Sequence, residues 1–81
     1  MIKDFLPNDQ ELAIKEVNCA LYCSKIATIQ FNNGNYAEAL TYLENAARSV
    51  KELETLKNRK LEHDSWLIIK QGGKMYEQSK R

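Results

Sequence analysis

Eighty-one residues with 43% hydrophobic and 28% charged side chains make one small domain, near the size at which a core becomes hard to build, and exclude a second within these residues. Twelve basic against eleven acidic side chains leave a formal charge of +1, too balanced for a histone-like binder or an acidic chaperone tail. One proline and three glycines cannot supply the turns of an all-β fold, so the composition predicts an all-helical chain.

The amino end, Met1 to Asn8, lacks the apolar core and small-residue cleavage site of a secretory signal, and the expectation is a cytoplasmic protein. A first helix is predicted over about 8–32. Asp9 supplies its cap, and Glu11 a negative charge beside the exposed first-turn N–H groups. Glu11, Lys15, Asn18 and Lys25 recur at helical spacing with Tyr22 on the same polar stripe. Ala13, Val17, Ala20, Leu21, Ile26, Ala27 and Phe31 fill a wide apolar arc, too broad for one neighbouring helix to cover. Asn32-Asn33-Gly34-Asn35 then reverses the chain, because Gly and Asn tolerate the left-handed backbone that ends a helix.

A second helix is predicted from about 35 to 60, with a seam of Ala39, Leu43, Ala46, Val50 and Leu53 widened by Leu40 and Ala47. Lys57, Arg59 and Lys60 suit its carboxyl end, where the helix dipole is negative, although no Gly or Pro marks a stop there. Two architectures follow. In one, Asp64 or Ser65 caps a third helix over about 64–79, bent at Gly72-Gly73, and the fold is a three-helix bundle. In the other, helix two extends unbroken to about Gln71, and the long hairpin buries Trp66 to Ile69 against a partner chain.

The stretch from Phe31 to Ala47 resembles the turn and second helix of a tetratricopeptide repeat, with Gly34, Tyr36, Ala39 and Ala46 in register and Ile26, Ala27 and Phe31 at further family positions. Cys23 stands where that family has a large aromatic, and Lys51 where it often has proline. The pattern is also similar to the hairpin of microtubule-interacting-and-trafficking domains, three-helix units of nearly this length. Either resemblance implies a helical hairpin packed through small residues, with Gly34, Tyr36, Ala39 and Ala46 at the packing positions. Each also implies a protein or peptide partner.

No residue is assigned a catalytic, cofactor-binding or metal role. Cys19 and Cys23 lie one turn apart without a second thiol pair, and read as small hydrophobes with free thiols. Arg59 and His63 are spaced one residue short of the pair in helical nucleases of the higher-eukaryote and prokaryote nucleotide-binding superfamily, so no catalysis is expected. Four consecutive apolar residues, Trp66, Leu67, Ile68 and Ile69, are too many for one helical neighbour, which makes them, with Tyr22, the candidate protein-interaction surface. The reading is a non-catalytic interaction module, an adaptor or regulator that packs helices with a protein partner or as a homodimer, without membrane or small-molecule substrate. The alternative is a nucleic-acid-binding regulator: residues 59–81 carry six basic and three acidic side chains, with Lys70, Lys74, Lys80 and Arg81 as phosphate contacts beside Trp66 and Tyr76.

Overall fold

The computed structural model describes residues 2–80, and their side chains as far as Ile68. Two antiparallel helices, α1 (Gln10–Asn32) and α2 (Tyr36–Lys80), form a hairpin with arms of 23 and 45 residues. Two 3₁₀ turns, Ile2–Asp4 and Pro7–Asp9, precede α1 and fold back against the hairpin. Pro7 opens the second turn, where its fixed φ suits a helical start and its missing N–H costs nothing.

The reversal is a complete glycine C-cap. Gly34 has φ of +81°, the left-handed conformation that any Cβ would strain. The Asn35 N–H donates to the Gln30 carbonyl at 2.8 Å and the Gly34 N–H to that of Phe31 at 3.0 Å, satisfying two carbonyls left open at the end of α1. The Asn35 side-chain amide donates to Gln30 Oε1 at 2.8 Å, and its carbonyl accepts the Ala39 N–H at 2.9 Å. One short polar run thus closes one helix and opens the next.

Three sequence expectations are corrected here. Of the two architectures, the unbroken second helix is the one that forms, running from Tyr36 to Lys80, past the expected limit at Gln71; the stop near residue 60 is not seen, and among the described residues there is no separate third helix. Asp64, the expected cap, is ion-paired with Lys60 one turn earlier, an i,i+4 contact that supports a continuing helix. Asp9 makes no side-chain cap on α1. Its buried carboxylate instead accepts from Arg59 at 3.0 Å through both oxygens, which joins the start of α1 to the middle of α2.

The seam also differs from the predicted one. On α1, Ala13, Ala20 and Ala27 recur every seven residues with Cys23 between, all buried. On α2 the buried positions are Ala39, Ala46, Ser49 and Leu56, with Tyr42 and Leu53 half-buried on the same stripe. Leu43 and Val50, expected in the seam, are more than half exposed. A seven-residue repeat keeps one stripe of each helix on its partner, and alanine there lets the backbones approach closely. Among the described residues, the large side chains that are buried gather at the open end, where Phe5 packs on Ala13 and Leu56 with Leu53 alongside. The molecule measures 62 × 25 × 14 Å, a slab one helix thick.

Candidate interaction face

Along each helix, the residues one and four positions after a seam residue lie on one flank, and those just before it on the other. In an antiparallel pair, like flanks come to the same side of the hairpin. Following Ala13, Ala20 and Ala27, that rule places Ile14, Val17, Leu21, Ser24, Thr28 and Phe31 on one broad face. Following Ala39 and Ala46 on α2, it places Leu40, Leu43, Ala47 and Val50 beside them, with Tyr36 at the top. The geometry agrees: Thr28, Phe31 and Leu43 meet around a shallow groove over Ala27, and the rings of Phe31 and Tyr36 pack edge to face at 5.5 Å. Ile14, Leu21, Phe31, Tyr36, Leu40, Leu43 and Val50 are between 45% and 65% exposed, and no second layer covers them.

The opposite side is mixed: Leu12, Tyr22 and Ile29 are exposed on α1 there, beside polar residues. Glu16, Cys19, Cys23, Asn45, Arg48, Ser49 and Glu52 line a polar groove there. Arg48 donates to Asn45 Oδ1 at 2.7 Å within α2. Cys23 is buried and Cys19 exposed, both as free thiols. Burial pushes the Cys23 thiol above its ordinary pKa, and its hydrogen bond with Cys19 adds to the shift. Among the described residues, no group of three or more His, Cys, Asp or Glu side chains is arranged to hold a metal ion. Nor is any helix long and apolar enough to cross a membrane, again among the described residues.

The structure divides the residues singled out from sequence. Gly34 makes the turn, Tyr36 packs on Phe31, and Ala39 and Ala46 are buried against α1. Trp66, Leu67 and Ile68 do not form one patch, because consecutive helical residues point about 100° apart. Leu67 continues the line of Ala39, Ala46 and Leu53 and is half-buried, whereas Ile68 extends the apolar flank and Trp66 falls on the other. Tyr22 is exposed on the side away from the apolar face. The side chains of Ile69, Lys70, Lys74, Lys80 and Arg81 lie outside the described residues. Arg59 donates to both carboxylate oxygens of Asp9.

Sequence reading saw that the apolar arc of the first helix was too wide for one neighbour, but it assigned Leu43 and Val50 to the seam and so missed the face that the two helices build together. The available signal was the seven-residue recurrence of alanine in both helices, with a large apolar residue repeatedly one or four places after it. Comparisons with protein-family models, curated proteins and solved structures found no match.

Proposed function

We propose that this protein is a non-catalytic interaction module that works by packing its apolar helical face against a protein partner. The observation that carries this reading is the concentration of exposed large apolar side chains on one face, where they outnumber Leu12, Tyr22, Ile29 and Trp66 on the other. The hairpin spends alanines on its own seam and leaves Leu21, Phe31, Leu40, Leu43 and Val50 outside it on one face. Monomeric proteins rarely expose a contiguous apolar patch of more than a few hundred Å² without using it. Scattered leucines would carry no such meaning; a face built from both helices does. Ile68 lies on the same flank further along α2, beyond Glu54, Lys57 and Asp64, and Trp66, on the other flank, is proposed as a separate contact. The reading agrees with the partner-binding role implied by the resemblance to tetratricopeptide repeats.

The test is site-directed photo-crosslinking in cells that express the full chain. A photoreactive phenylalanine analogue in place of Leu43 is expected to form a covalent adduct, whereas the same group in place of Thr41, two residues round the helix, forms little. Equal capture at both positions, or none at Leu43, overturns the reading. An adduct of twice the chain mass and one of another mass separate self-association from binding to a different protein.

A further inference from the structure

We infer that the occupant of the apolar face is a second copy of this chain, packed face to face to make a four-helix core; the inference rests on the reading of that face as the docking surface. The first reason is width. A single helix laid between α1 and α2 covers the central groove at Phe31 and Leu43 and leaves the outer row, Ile14, Leu21 and Leu40, in water. Only a partner that is itself flat, apolar and two helices wide covers both rows, and this chain presents such a surface.

The second reason is area. Side chains about half exposed contribute on the order of 100 Å² each, so the seven on the paired part of the hairpin present ~700 Å², close to the roughly 800 Å² that each partner covers in a standard stable interface. The single chain also lacks the core that this face would complete. Among the described residues, Leu56 is the one large side chain that is fully buried, and small folds with so little core commonly rely on association.

The third reason is charge at the outer edges. Glu11, Asn18 and Lys25 line the edge of α1, and Glu44, Lys51 and Asn58 that of α2. Lys25 lies nine residues before Gly34 and Glu44 ten after it, so they stand at the same height on opposite edges. A two-fold partner with both turns at one end brings Lys25 opposite the second copy's Glu44. A partner turned end for end, with the paired stretches overlapping, brings Glu44 opposite the second copy's Lys51. Neither placement sets like charges together. The face is therefore complementary to itself in shape, polarity and edge charge.

Light scattering behind a sizing column, on the full chain over a wide concentration range, tests this with circular dichroism on the same samples. The expected mass is twice the 9.4 kDa of one chain. Leu21→Lys with Leu43→Lys, both exposed in the single hairpin, is expected to weaken association at least a hundredfold. Glu44→Lys, an edge change that leaves the seam untouched, weakens it about tenfold, since two symmetric contacts are reversed. Adding Lys25→Glu restores association if the turns lie together, and adding Lys51→Glu restores it if they lie apart; either rescue supports the copy-to-copy contact. A helical monomer at every concentration overturns the inference. So does an undiminished dimer in the double lysine variant, or a Glu44→Lys defect that neither second change repairs.

Discussion

The two ends of the hairpin hold together by different means. At the open end, Phe5, Leu53 and Leu56 interlock over Ala13, and the buried Asp9 carboxylate ties α1 to Arg59. Toward the turn the buried contacts are Ala20, Cys23, Ala27, Ala39 and Ala46 with Tyr42 half-buried among them, and Leu21, Phe31, Leu40 and Leu43 stand outside. The first arrangement gains stability from apolar volume within one chain. The second gains close backbone approach, and it leaves its large apolar residues available to something else. A hairpin that buried leucines along its whole seam would be a better monomer and a poorer platform.

Substitutions at the two ends break this contrast in order of size, read as urea unfolding by circular dichroism at one fixed protein concentration. Leu56→Ala removes the fully buried side chain of the open end and is expected to cost about 3 kcal/mol, because the cavity lies between two helices and the Phe5 segment. Ala46→Leu inserts three heavy atoms into the alanine seam and is expected to cost about 2 kcal/mol by forcing the helices apart. An unchanged midpoint for Ala46→Leu would show that the seam near the turn is loosely packed. In that case the contrast between the two ends fails.

Gly34→Ala tests the turn alone. A Cβ there meets nothing within 4 Å, so the expected loss of about 1 kcal/mol is the backbone cost of φ +81° in an L-residue. Arg59→Ala leaves the nearly buried Asp9 carboxylate without its partner and is expected to cost about 1 kcal/mol, since the arginine itself is half in solvent. The loss shrinks at high salt if it is electrostatic.

The smallest effect is a pH dependence at Cys23. Below the ordinary thiol pKa, both folded and unfolded chains keep the proton and nothing changes. Above it the unfolded chain ionises while burial holds the folded Cys23 neutral, so stability falls as pH rises through the ordinary value toward the raised one. Iodoacetamide followed by mass spectrometry checks the same asymmetry. Exposed Cys19 is expected to react first, with Cys23 following only at higher pH or on unfolding. Equal rates at neutral pH would contradict the burial of Cys23.

Much of the fold was legible because its causes are local. The run from Asn32 to Asn35 announced the reversal, and Gly34 occupies the left-handed position that the run requires. The end of α2 was not legible. Lys57, Arg59, Lys60 and Asp64 have two uses, at a helix terminus or along a helix flank, and composition does not choose between them. Contacts chose: Arg59 reaches Asp9, fifty residues away in sequence, and Lys60 holds Asp64 one turn on. The apolar face was legible only in part. Leu21, Phe31 and Val50 were visible as apolar, but Leu43 and Val50 were assigned inward because larger side chains are ordinarily the ones buried.

The sequence by itself determined that the chain is helical and where it turns, since spacing, propensity and a glycine cap act within a few residues. It also held the alanine repeat and the apolar residues beside it. Which of those adjacent stripes faces inward was decided only by the tertiary structure. One helix cannot distinguish a seam from a flank some 50–100° away when both are apolar. The choice is made when the second helix arrives antiparallel and the small residues of the two seams, Ala20, Cys23 and Ala27 on one and Ala39, Ala46 and Ser49 on the other, are buried between the helices.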